Sequence, residues 1–192
     1  VPALKPYLPA VILSLICLVT TGLLSLTYEM TREKRDYQIE AAANANRLAL
    51  FPEAEQFIPL DLTGLDARPD DLLEADCVQD STGTCLGYLF ICSRRGYGGQ
   101  VPVMVAVTPA GQIRGVRVLA NDETPGLGKK VADASFLGQF TAQDIRLPFA
   151  LKVDGKQQPV DAVSGATISS RAVTDAINSV GRLFLLLKLE VK

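Results

Sequence analysis

Between Lys5 and Glu29 the chain carries no charged side chain for 23 residues, PYLPAVILSLICLVTTGLLSLTY. A helix of about 20 apolar residues crosses the hydrocarbon core of a bilayer, so this run predicts a membrane-spanning helix that includes Cys17. Tyr7 and Tyr28 stand near its ends, where interfacial aromatics belong. The rival reading is a cleaved secretory leader. A leader normally has a shorter apolar region followed by a small-residue cleavage site, and here EMTREKR follows instead. The segment therefore reads as an anchor, and it accounts for the high hydrophobic content of 48%. Lys5 on one flank against Arg32, Lys34 and Arg35 on the other sends the following part to the cytoplasm by the positive-inside rule.

Residues 29–50 contain neither Gly nor Pro and are rich in Ala, Glu, Arg and Lys, which predicts a helix continuing out of the membrane until Pro52 stops it. Tyr37, Ala41, Ala45 and Leu48 make a narrow apolar stripe on it. The Pro- and Asp-rich stretch after it reads as an irregular connector. From about residue 75 the composition becomes that of strands: LGYLFICSRR, QVPVMVAVT and IRGVRVLA predict three antiparallel neighbours with one wet face. KKVADASFLGQF predicts a short helix, and IRLPFALKV, the turn DGKQQ and PVDAV predict a further hairpin. Ile168, Ala172, Val173, Ala176, Ile177, Val180 and Phe184 fall on one face of a last helix, which Gly181 weakens. The expected architecture is α+β: an anchor at 1–28, a helical connector and irregular lobe at 29–74, and a mostly antiparallel sheet flanked by helices at 75–192.

Composition removes several classes of chemistry. The chain has no histidine, so no Ser-His-Asp or Cys-His pair and no His-ligated metal or haem can exist. A net charge of −2 gives no electrostatic case for a nucleic-acid partner. Any redox or group-transfer chemistry then falls to a cofactor. The four cysteines, Cys17, Cys77, Cys85 and Cys92, form no C-x-x-C pair. Cys77 and Cys85 bracket the polar stretch VQDSTGT; a disulfide across it and two free thiols are both open readings. Cys92, in GYLFICS, reads as a buried small apolar residue.

One stretch is chemically suggestive. In DAVSGATISSRAV, residues 161–173, small residues and hydroxyls lead directly into the last helix. The plain reading is a side-chain cap on the helix N-terminus, worth about 1 kcal/mol. The sharper reading uses the same geometry. A helix N-terminus presents free N–H groups and a positive dipole end, and Gly165 and Ala166 would let a phosphate approach the backbone, with Thr167 binding or esterified to it.

DAVSGAT resembles the D-x-x-[ST]-G-A-T signature of the FMN-binding domain shared by the G subunit of the Rnf complex and the C subunit of the Na⁺-pumping NADH:quinone reductase. ETPGLG at 123–128 is similar to that family's E-T-P-G-L-G loop, and GYGG at 96–99 to its G-Y-x-G turn. A single N-terminal membrane helix and this length look like the Rnf G subunit. Asn121 and Asp122 precede the loop where that family often has a histidine.

The resemblance implies FMN joined by a phosphoester bond to Thr167, made by a separate flavin transferase that reads the motif from Asp161. It implies a cofactor site drawn from Ser164, Gly165, Ala166, Thr167 and Ile168, from Glu123, Thr124, Gly126 and Leu127, and from Tyr97. Arg171, one turn into the helix, reads first as an exposed surface residue and second as a counter-charge to the phosphate. It implies an electron-transfer subunit rather than an independent catalyst, in a membrane complex linking ferredoxin–NAD electron flow to ion transport. It puts the flavin domain on the periplasmic side of a bacterial inner membrane, against the local charge count, and a Cys77–Cys85 disulfide would fit that side. The alternative is a membrane-bound flavin sensor or scaffold in which SGAT is only a cap.

Overall fold

The computed structural model describes residues 7–63, 69–152, 154 and 158–190. Lys5, residues 64–68 of the connector and most of the turn expected at 154–158 lie outside them. Two compact units divide the chain, Val1–Ala43 and Asn44–Lys192.

One helix, α1 (Leu8–Leu50), covers both the apolar run and the charged stretch after it. It is long and apolar enough to cross a membrane. Its apolar side chains are bare, Leu18 and Leu24 each 71% exposed, as residues that meet lipid would be. The hydroxyls of Thr20, Thr27 and Thr31 donate to the carbonyls of Ile16, Leu23 and Thr27 at 2.8, 2.8 and 2.6 Å. This back-bonding lets hydroxyl side chains sit in an apolar setting without a lost hydrogen bond.

In the second unit five strands form an antiparallel meander in the order β1 (Gln56–Pro59), β2 (Leu72–Gln79), β3 (Cys85–Arg95), β4 (Gln100–Val107) and β5 (Ile113–Val118). The last three are those expected. β1 comes from the stretch read as irregular and β2 begins three residues before the expected onset of strands, so the sheet starts at Gln56 rather than near residue 75. Their pattern is poorly apolar: Glu74 and Asp76 interrupt β2, and Pro59 ends the edge strand β1. Glu74 is held by an ion pair from Arg47 at the end of α1.

α3 (Thr167–Glu190) packs on one face of the sheet. Phe90, Cys92, Val103, Val105 and Val107 meet Val173, Ala176, Ile177, Val180 and Phe184 in the main core. The expectation of a wet second face is not met. Alternate residues Val78, Leu89, Ile91, Met104 and Ala106 are buried there against Leu50 and Phe51, at the foot of α1. Full burial of one such side chain contributes roughly 1.5–3 kcal/mol. The near-continuous apolar run in β4 is what two covered faces require.

Three further expectations are corrected. Residues 129–140 do not form one helix but a 3₁₀ turn (Gly128–Ala132), an extended Asp133, α2 (Ala134–Leu137) and a second 3₁₀ turn (Gly138–Phe140). Val131 and Phe136 are both buried, and five residues of α-helix would point them about 140° apart, so the chain breaks between them. The expected hairpin is instead a two-residue parallel pair, β6 (Ala150–Leu151) with β7 (Pro159–Val160). Asn178 of α3 binds both backbone groups of Phe149, at 2.8 and 2.9 Å, which stops the first strand from extending backward. Ile168 leaves the apolar face of α3 and is 51% exposed, because Ser169 and Ser170 take the core side of that first turn.

Gly181 has a packing reason. A Cβ at this position would lie 2.3 Å from the Ile145 carbonyl oxygen. Gly181→Ala should therefore lower stability by about 1–3 kcal/mol in a denaturant titration, although helix propensity alone favours alanine by about 1 kcal/mol.

Candidate functional site

The three motifs, far apart in sequence, meet at the start of α3. The GYGG turn follows β3 and closes with a hydrogen bond from Gly96 N–H to the Gly99 carbonyl, 2.7 Å, leaving Tyr97 exposed at its tip. The ETPGLG loop follows β5. There Leu127 and Lys129 N–H both reach the Thr124 carbonyl at 3.2 Å, and Gly126 has φ +75°, which a Pro-Gly turn of type II demands. DAVSGAT supplies the approach to α3, with Gly165 at φ +76°.

Glu123 joins all three segments. It is buried, only 1% exposed. One carboxylate oxygen accepts from the Gly98 N–H at 3.0 Å, and the other accepts from the Ser169 hydroxyl at 2.7 Å. The surrounding glycines leave room for it: a Cβ on Gly96 would stand 2.1 Å from Glu123 Oε1, and one on Gly128 would stand 2.4 Å from Oε2. Asn121 braces the same residue, its Oδ1 accepting from the Glu123 N–H at 3.1 Å. Next to the N-terminal turn of α3, a carboxylate is also favoured by the helix dipole.

The convergence encloses a cleft of about 620 Å³ lined by Tyr97, Glu123, Thr124, Leu127, Gly128, Gly165, Ala166, Thr167, Ile168 and Ser169. Its size falls within the usual range for cofactor sites. Eight of these residues are among those singled out from sequence. Gly128 and Ser169 are additions; a hydroxyl at a core position of the helix was the available signal for Ser169. Ser164 and Gly126 are not among the lining residues, and Glu123 works mainly as a brace. Arg171 does not turn toward the cleft: its guanidinium forms a forked pair with Asp154 at 2.8–3.0 Å.

The expected side-chain cap is replaced by a different arrangement. The residue before α3 is Ala166, which has no side-chain oxygen. Ser170 is turned backward, its Oγ accepting from the Val163 N–H at 3.0 Å, and its own N–H goes to the Ala166 carbonyl at 2.9 Å. The amides of Thr167, Ile168 and Ser169 belong to a first helical turn and have no intrahelical partner. They open on a cleft where Thr167 is exposed and Gly165 lets Leu127 come close; a Cβ on Gly165 would lie 2.9 Å from Leu127 Cδ1. Free amides, a hydroxyl and a positive dipole end suit an anion, and Leu127, Ile168 and Tyr97 suit a flat apolar group beside it. This donor set fits a flavin mononucleotide.

Asp161 lies away from this cleft, in a neighbouring one with Lys130, Asp133 and Gln139. Its carboxylate pairs with Lys152 at 2.7 Å, and the Gln139 side chain holds its backbone on both sides, at 2.8 and 3.1 Å.

Comparison with known proteins shows the family. Residues 96–181 match the FMN-binding domain family, and residues 9–50 match the RnfG N-terminal region. The chain is 31% identical over 179 residues to the G subunit of the ion-translocating oxidoreductase complex of Pasteurella multocida, covering 88% of each chain. It is 35% identical over 92 residues to the G subunit of the proton-translocating ferredoxin:NAD(+) oxidoreductase complex of Clostridium ljungdahlii, covering 48% of this chain and 50% of that one. The crystal structure of NqrC from Shewanella oneidensis superposes with a TM-score of 0.50 at 26% identity, covering 73% of this chain and 71% of that one.

Fold and site thus define an FMN-binding domain behind an apolar N-terminal helix. The chain belongs to the family of G subunits of ion-translocating oxidoreductase complexes.

The brace gives a graded expectation. Both groups bonded to Glu123 are donors, and the Ser169 hydroxyl can turn to accept from an amide. Glu123→Gln should keep the fold, whereas Glu123→Ala, which strands the Gly98 N–H and opens a void, should cost about 2–4 kcal/mol in thermal or denaturant unfolding.

Proposed function

We propose that this chain is the electron-relay subunit of a membrane ion-translocating oxidoreductase complex, with FMN attached through a phosphoester bond to Thr167. The carrying observation is the uncapped first turn of α3, with the exposed Thr167 hydroxyl at its head and the cleft of three converging motifs beside it. When bound, FMN supplies one- and two-electron transfer. The chain's own groups hold it. Thr167 Oγ1 carries the phosphorus, the amides of residues 167–169 face the phosphate, and Gly165 and Ala166 keep side chains out of its path. Leu127, Ile168 and Tyr97 flank the ring, and Glu123 fixes the loops that carry them. A tether also permits an exposed ring, because affinity no longer depends on burying it. Such exposure suits exchange of electrons with partner subunits.

The same reading assigns the remaining parts. Asp161, held in place by Gln139 and Lys152, is where a flavin transferase would read the motif. α1 anchors the chain in a bacterial inner membrane with the flavin domain on the periplasmic side, as the family resemblance suggests. The electrons belong to a ferredoxin–NAD path in the complex, in line with the name of the Clostridium relative.

Intact mass of the chain purified from its native host tests the bond. The expected gain is FMN less one water, with flavin fluorescence surviving a denaturing gel. Thr167→Ala should still fold but lose both signals. An unmodified wild-type chain, or a Thr167→Ala chain that keeps the added mass, would overturn the assignment.

A further inference from the structure

The cysteines lie outside the flavin cleft, and two of them are placed for each other. Cys77 is on β2 and Cys85 opens β3, at the two sides of the hairpin that joins these strands. Their sulfurs are 3.3 Å apart. The turn between them is already set without them: Asp80 Oδ1 accepts from the N–H groups of Thr82 and Thr84 at 2.8 and 2.9 Å. Cys92 is buried in the main core, and Cys17 lies in the apolar part of α1, so neither competes for either partner.

We propose that Cys77 and Cys85 form a structural disulfide that staples β2 to β3 and takes no part in the electron path. The β3 strand runs from Cys85 to Arg95, immediately before the GYGG turn. Cys77 lies opposite Tyr88 and Cys85 opens the strand, so seven to ten residues of strand at roughly 3.3 Å each put the pair about 23–33 Å along the sheet from the flavin cleft, too far to act as its redox neighbour. Closing the bond joins the two sulfurs and releases two protons and two electrons. The oxidant is a thiol–disulfide exchange protein of an oxidising compartment, whose own disulfide takes them up and becomes two thiols. Only the supply of this oxidant rests on the proposed periplasmic placement.

The test uses membranes of the native host, alkylated under denaturing conditions without reductant and then digested with trypsin. Peptide 48–94 holds Cys77, Cys85 and Cys92, since the Arg68–Pro69 bond resists cleavage. The expected peptide carries one alkyl group, on Cys92, and three only after reduction. Protease added to intact spheroplasts reports the side of the membrane in parallel. Three alkyl groups without reduction on a domain digested from outside overturn the bridge and leave the placement standing. Three alkyl groups on a protected domain overturn the placement and the bridge with it. The double variant Cys77→Ser, Cys85→Ser should keep its flavin and an unchanged flavin potential while its Tm falls by about 5–10 °C. A shifted potential at unchanged Tm would instead assign the pair to the electron path.

Discussion

A buried carboxylate needs partners, and Glu123 finds them on two other segments of the chain. Its oxygens accept from the turn after β3 and from the first turn of α3, while its own backbone belongs to the loop after β5. Leaving either oxygen unpaired would cost more than the hydrogen bond itself is worth. The position of the three loops is thus set by a polar constraint at their centre rather than by apolar packing. The glycines of two of the motifs have a matching role: Gly96 and Gly128 leave the space that the carboxylate fills. The walls of the cleft are consequences of where this side chain sits.

The same logic separates what could be read from sequence from what could not. The motifs were legible because each carries a local requirement, such as Gly126 and Gly165 at positive φ or a hydroxyl at a helix start. So were β3, β4 and β5, whose β-branched and aromatic runs do not depend on partners. β1 and β2 were hidden because their cohesion is long-range: Glu74 is matched by Arg47 from a distant helix, and Asp76 is buried inside the sheet. The covered second face was hidden in the same way, since Leu50 and Phe51 come from the end of α1. The role of Glu123 as a brace also needed coordinates. The family resemblance implied a place for it near the ring, and only the distances to Gly98 and Ser169 show what it holds.

The segment after the ETPGLG loop and the short parallel pair differ from expectation for a narrower reason. In both, residue types favoured the expected element, and backbone accounting decided otherwise. Val131 and Phe136 both needed the core, at a spacing a continuous helix does not permit. Asn178 satisfied both backbone groups of Phe149 and so left no ladder for a hairpin to extend. Tertiary contacts settled the local conformation in each case.

The missing cap at Ala166 has a consequence for how the domain matures. A helix start with a serine or threonine cap is complete on its own. This one leaves the amides of its first turn to water, so an anion bound there, as proposed for the FMN phosphate, would add its binding free energy to folding. A free ligand would confer that gain only while its concentration lasted. A ligand tied to Thr167 acts at a fixed and high effective concentration. Loading would then divide newly made chains into two populations of different durability, and the cell's proteases would have a physical basis for telling finished chains from unfinished ones.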